Sequence, residues 1–297
     1  MTSHGVSQRR ACGLLGMDRT SFRYRSSQPD DAAVRERLRA LAAERRRFGY
    51  RRLQWLLERE GVRMNHKRFR RLYREEKLQV QRRRGRRRAI EVRAKLTLPQ
   101  EPNQRWSLDF VADQLTSGRR FRILTVVDDF TKESLATIAD TSIGGHRLIA
   151  ELDRIVERRG KPRSIVSDNG GEMTSRAVLQ WTMETAINWH YIAPGKPTQN
   201  AFIEAFNSKL RDECLNENLF VTLTEAIDTI EAWRIDYNTR RPHSAIGNQT
   251  PAAFAAASVL AMQRGEPLRY PRGFAPRPVA STTETGSNAE RTLVQTG

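Results

Sequence analysis

Apolar residues along this chain follow two regimes. Between residues 30 and 79 they recur at helical spacing: Val34, Leu38, Leu41 and Ala42, then Leu53, Leu56 and Leu57, then Phe69, Leu72 and Tyr73. Phe48-Gly49-Tyr50 breaks the first run from the second, and Gly61-Val62 with Asn65 breaks the second from the third, so three short helices are predicted. A smaller helix pair around a glycine-containing turn is predicted over 6–26. Past residue 103 the pattern changes. Trp106–Val111, Phe121–Val127 and Ser134–Ile138 read as successive strands, turned at Ser117-Gly118 and at Asp128-Asp129. An amphipathic helix follows at Gly145–Arg159, with Leu148, Ile149, Leu152, Ile155 and Val156 inward and Gly160-Lys161-Pro162 as its stop. Ser164–Val166 is a short strand; a helix near 174–185, a strand near 187–192, and helices at 199–215 and Leu223–Tyr237 complete the series. Hairpin strands followed by alternating helices and strands imply an α/β fold, a mixed sheet covered by helices, preceded by an all-α region.

These shifts divide the 297 residues into a short helical fragment (1–28), a three-helix domain (30–80), a linker (81–102), an α/β core (103–262) and a disordered tail (263–297) rich in Pro, Gly, Ser and Thr. The net charge of +18 is unevenly placed: residues 1–98 hold 29 Lys and Arg against 10 Asp and Glu, the remainder 23 against 24. A one-sided basic block is the footprint of a polyanion-binding region. The competing polyanion, acidic lipid, is disfavoured because no long apolar span or signal peptide accompanies the charge; a cytoplasmic, nucleoid-associated location is expected. The third helix, from Asn65 to Arg74, would be the recognition helix if the bundle reads a major groove, offering Lys67, Arg68, Arg70 and Arg71. In the linker, Arg82, Arg83, Arg84, Arg86, Arg87 and Arg88 can each neutralise a phosphate, adding affinity without choosing sequence. Cys12 and Cys214 form no motif, and five scattered histidines make no zinc finger.

Three carboxylates stand out by context. Asp109 interrupts an apolar strand, where an aspartate is poorly suited and costly to bury unpaired; metal coordination would offset that cost. Asp168 follows a short strand and precedes Asn169-Gly170-Gly171, although alone it reads equally as a turn aspartate. Glu204 lies roughly 100° round its helix from Ile203, whose face with Phe206, Leu210 and Cys214 should pack on the sheet. Asn200, Ser208 and Arg211 fall near Glu204's azimuth, so the stripe offers a ligand, hydrogen-bonding groups and a cation for a phosphate. Lys196 and Gln199, on the loop before this helix, would grip DNA. Asp113, Asp128, Asp129 and Glu172 compete by position but read as supporting or structural groups. Carboxylates without a His or Cys partner suit hard divalent cations, two of which can clamp the attacking and leaving oxygens of a phosphodiester.

The residues Trp106-Ser107-Leu108-Asp109-Phe110, Ser167-Asp168-Asn169-Gly170-Gly171, Pro194 through Glu204, Tyr237-Asn238 and Arg241-Pro242-His243-Ser244 resemble the DDE integrase core of bacterial insertion-sequence transposases. More narrowly, they resemble the second-reading-frame protein of two-frame elements. Asn65-His66-Lys67-Arg68 and Arg74-Glu75-Glu76 resemble the helix-turn-helix module such proteins carry before the core. The resemblance covers about residues 6–262. It implies a ribonuclease H-like five-stranded mixed sheet, two Mg²⁺ or Mn²⁺ ions, and Asp109, Asp168 and Glu204 as the ligating triad, with Asp109 shared between the ions. Arg211 matches a basic position of that helix. The implied activity is hydrolysis at the element's ends to expose a 3′-OH, then strand transfer into target DNA. Implied partners are double-stranded DNA at the element ends and target, further copies of the chain on that DNA, and a first-frame protein as fusion or partner. A ribonuclease H-like nuclease, or a catalytically silent DNA-binding remnant, are the alternative readings.

Overall fold

The computed structural model describes residues 6–24, 31–80, 98–192 and 200–268. The arginines at 82–88, Lys196, Gln199 and the tail from 269 onward lie outside the described residues. The chain divides near residue 82 into two compact units.

In the first unit, α1 (Gln8–Leu14) and α2 (Arg19–Arg23) form the expected short pair, with Ser7 and Asp18 capping their N-termini. Three further helices follow: α3 (Ala32–Glu44), α4 (Tyr50–Arg59) and α5 (His66–Glu75). Their core is Leu38, Leu41, Leu53, Leu57, Phe69, Leu72 and Tyr73, the positions the helical spacing marks, joined by Phe48 from the first break. Asn65 starts α5 where the pattern requires, its side-chain oxygen accepting from the Lys67 N–H at 2.8 Å.

The second unit is built on a five-stranded sheet of order β3-β2-β1-β4-β5. Strands β1 (Arg105–Gln114), β2 (Arg120–Asp128) and β3 (Ser134–Asp140) form an antiparallel meander. Strands β4 (Ser164–Ser167) and β5 (Asn188–Tyr191) run parallel to β1. This is the ribonuclease H-like arrangement, with β1 at the centre. Helices α6 (Gly145–Arg159) and α7 (Arg176–Thr185) supply the crossovers and cover one face, over Trp106, Leu108, Leu124, Val126 and Ile165. The other face carries Val111, Phe121, Ile123 and Val127 under α8 (Ala201–Glu213) and α9 (Leu223–Thr239). A last helix, α10 (Pro251–Gln263), packs Phe254 on Phe130 and Ile246. Leu268, expected in the disordered tail, packs partly buried against that same cluster.

Strand alternation decides what the site can reach. Trp106 and Leu108 point to α6 and α7, so by the two-residue period Asp109 and Val111 face α8.

Candidate active site

Each acidic residue is delivered by a different element. Asp109 sits on β1, half-buried, with Thr125 of β2 directly opposite. β4 pairs with β1 at Arg105–Ser164, Trp106–Ile165 and Ser107–Val166. Continuing that register past the end of β4 brings Asp168 level with Asp109. Asp168 is half-buried, and its Oδ1 accepts from the Gly170 N–H at 3.1 Å. A Cβ at Gly170 would stand 3.2 Å from that oxygen, so glycine allows this close return of the chain. Glu204 lies in the first turn of α8 and is exposed, while Ile203, Phe206 and Leu210 seat the helix on the sheet as their spacing predicts.

The three carboxylates meet electrostatically at Asp109. Burial pushes the Asp109 carboxyl up to about 6, and the charges of Asp168 and Glu204 push the same way. Two hydrogen bonds act against that rise: the Phe110 N–H donates to Oδ1 at 2.8 Å, and the Asn207 amide donates to Oδ2 at 2.7 Å. Among the described residues, no group of three or more His, Cys, Asp or Glu is placed so that it could hold a metal ion. Asp168 and Glu204 thus lie near enough to Asp109 for their charges to act on its carboxyl, and Glu204 is the exposed one of the three.

The donor set fits a hard divalent cation. All candidate ligand atoms are carboxylate oxygens, as Mg²⁺ or Mn²⁺ prefers. Cys214 is buried on the α8 side of the sheet, and burial pushes its thiol up to about 12, which keeps it protonated.

Three of the four competing acids are used structurally. Asp128 is buried and closes the β2–β3 turn, its Oδ1 accepting from the N–H groups of Phe130 and Thr131 at 2.8 and 3.0 Å. Asp129 is paired with Arg105 at 2.5 Å and accepts from the Ser107 hydroxyl at 2.9 Å. Glu172 pairs with Arg122. Asn207 and Thr125 are functional candidates that the sequence reading passes over. Asn207 had a usable signal, since it lies one helical turn beyond Glu204 and so shares its side of α8.

Two expected DNA-contacting side chains are committed elsewhere. Asn200 is buried at 3 % exposure, its amide donating to the Leu108 carbonyl at 3.2 Å, so it ties the start of α8 to β1 instead of facing solvent. Arg68 is turned onto Asp31 at 2.5 Å. Lys67 and Arg70 are exposed on the outer side of α5, and Arg71 is exposed beside Glu75 at 3.5 Å. Arg211 is exposed and donates to the Ala112 carbonyl at 3.0 Å. No helix among the described residues is long and apolar enough to cross a membrane.

Comparison with known proteins finds family matches in two parts of the chain. Integrase core domain models match residues 99–197 and 185–251, and an HTH-like domain model matches residues 29–86. The insertion element IS407 31.7 kDa protein of Burkholderia multivorans is 51 % identical over 253 residues, covering 84 % of this chain and 91 % of that protein. The insertion element IS476 39.2 kDa protein of Xanthomonas euvesicatoria is 48 % identical over 252 residues, 84 % of this chain and 73 % of that one. The putative transposase InsK for insertion sequence element IS150 of Escherichia coli is 26 % identical over 256 residues, 80 % and 89 % of the two chains.

Proposed function

This chain belongs to the family of insertion-element proteins built on an integrase core, and on that premise we propose that it is a DNA transposase. It cuts at its element's ends and joins the freed strand to target DNA within one site. What supports this reading is that half-buried Asp109 on β1 stands beside β4, the strand that leads into Asp168, and that the charges of Asp168 and Glu204 both act on its carboxyl.

Asp109, Asp168 and Glu204 would hold two Mg²⁺ or Mn²⁺ ions, whose chemistry is to acidify water and to stabilise charge on a departing oxygen. The protein's own part is positional. Asp109 stands on β1 and Asp168 just past the end of β4, the strand paired with it, and the Asn207 amide bonds the Asp109 carboxylate. Glu204, on the exposed side of α8, lies toward the DNA. Arg211, on the same helix, supplies a cation for a neighbouring phosphate. In the first reaction, water oxygen bonds to phosphorus and the P–O3′ bond breaks, leaving a 3′-OH on the element. In the second, that 3′ oxygen bonds to a target phosphorus and expels the target's own 3′ oxygen. In each step an incoming oxygen, first from water and then from the 3′-OH, replaces O3′ on a phosphorus, so the same carboxylates serve both without a covalent protein intermediate. The helix-turn-helix unit binds element-end duplex through Lys67 and Arg70, and further copies of the chain assemble on the DNA.

Replacing Asp109 or Asp168 by Asn, or Glu204 by Gln, should lower cleavage and joining by about a thousandfold or more, with duplex binding in low salt retained. Strand transfer that survives any one of these changes removes that residue from the site.

A further inference from the structure

We propose that the buried hydroxyl of Thr125 is a positioning group for this reaction: it fixes the Asn207 amide so that the amide nitrogen holds the Asp109 carboxylate. The proposal rests on the reading of Asp109 as a working ligand. Thr125 lies on β2 opposite Asp109, on the face covered by α8, and is fully buried. Asn207 bridges the two. Its Nδ2 is 2.7 Å from Asp109 Oδ2, and its Oδ1 is 3.0 Å from Thr125 Oγ1.

The chemistry leaves one consistent arrangement. An ionised carboxylate only accepts, so the end of the amide against Asp109 is the nitrogen. The opposite end is then a carbonyl oxygen, which requires a donor, and the Thr125 hydroxyl is the donor at hand. Its single proton points to Asn207 Oδ1, with the Asp109 backbone oxygen at 3.1 Å as a second acceptor in a three-centre contact. Turning the amide over would set its oxygen against the carboxylate. Two residues on and on the same face of β2, Val127 is a buried apolar side chain, so the hydroxyl at Thr125 stands among apolar neighbours. A buried hydroxyl costs stability unless it is bonded, so its presence here points to the bond it makes. The relay also spans three elements: β2 orients a group on α8 that orients a group on β1, one turn from Glu204.

The test compares Thr125→Val and Thr125→Ser in the full chain. T125V should lower end cleavage and strand transfer about tenfold at saturating DNA, the order expected for losing one orienting hydrogen bond, with duplex affinity unchanged. It should also weaken Mn²⁺ binding to the DNA-free protein by a similar factor, read from the electron paramagnetic resonance of free Mn²⁺. T125S should stay within about twofold of the native chain in both. Native behaviour of T125V in both readouts overturns the proposal, as does a T125S loss equal to that of T125V, which would assign the effect to the methyl group. If T125V fails to fold by circular dichroism, the Thr125 hydroxyl proton in the native protein decides: protection from solvent exchange supports the relay, and free exchange refutes it. D109N separates the two levels of the argument. An active D109N refutes the reading of the site itself; an inactive D109N beside a native-like T125V refutes the relay alone.

Discussion

At the scale of single residues, Asp109 has a conflict between what the site needs and what the fold tolerates. Its folded-state pKa, about 6, lies above the ordinary value of 3.8, because burial and two neighbouring carboxylates disfavour the charge. The folded protein therefore keeps this proton over a range where the unfolded chain has released it. Its cost to stability is absent below about pH 4 and grows as pH rises to about 6, where it levels off. Asp109→Asn should accordingly stabilise the metal-free protein at pH 7.5 by about 1–2 kcal/mol, a few degrees in Tm, after allowing for one lost hydrogen bond. The difference should close as pH falls toward 4, while Mg²⁺ should raise the Tm of the native chain more than that of D109N. Thermal melts across pH, with and without Mg²⁺, check both; a D109N protein that melts below the native chain at pH 7.5 removes the argument. The sequence showed this residue as an aspartate breaking an apolar strand. It did not show Asn207 or Thr125, because both matter through the partner they meet. Reflecting Asp109 through Ser117, the centre of the β1–β2 turn, does give Thr125, so the pairing was readable once the hairpin's centre was known.

At the scale of elements, the site depends on α8 being seated. Three apolar residues press it on the sheet, Asn207 links its middle to β1, and at its end Glu213 is paired with Arg241, Nε to Oε2 at 2.7 Å and Nη2 to Oε1 at 2.5 Å. Arg241 is 2 % exposed, so removing it strands a carboxylate away from water. Arg241→Ala should cost about 3–5 kcal/mol in chemical denaturation and depress cleavage through α8, whereas an apolar pair at 213 and 241 should restore most of the stability. A denaturation midpoint for R241A equal to the native one would show that the pair does not secure the helix. On the sheet's other edge, Asn238 of α9 both accepts from the Ser134 N–H at 2.9 Å and donates to the Ser134 carbonyl at 2.8 Å, closing part of β3 with a side chain. Such ties were not legible in the pattern, although the helices that carry them were. Gly145–Arg159 forms where its apolar spacing placed it, bounded by a glycine at each end. β1 runs on to Gln114, beyond the expected Val111, because Ala112, Asp113 and Gln114 pair backbone to backbone with Arg120–Arg122, and hydrophobic alternation does not register such pairing.

At the scale of the whole molecule, charge divides the labour. Nearly all the excess positive charge precedes residue 99, so the helix-turn-helix unit and the arginines after it should govern affinity and its salt dependence, and the core should govern chemistry. Within the unit, exposure sorts the cations that sequence alone treats alike. Lys67 and Arg70 face outward, and Arg68 is held on Asp31, whose own side chain is only 11 % exposed. Each phosphate neutralised contributes about 0.9 to the slope of log affinity against log salt. The double change of Lys67 and Arg70 to Ala should therefore flatten that slope by about 2 and weaken binding to unrelated duplexes and element ends alike. Arg68→Ala should leave the slope unchanged and lower the Tm of the unit instead, because its loss leaves Asp31 half-buried without its closest cation. Titrations from 50 to 300 mM salt on the full chain distinguish the two, and a slope change for R68A of about half that of the double variant would mean that Arg68 leaves Asp31 to meet the phosphate when DNA is bound.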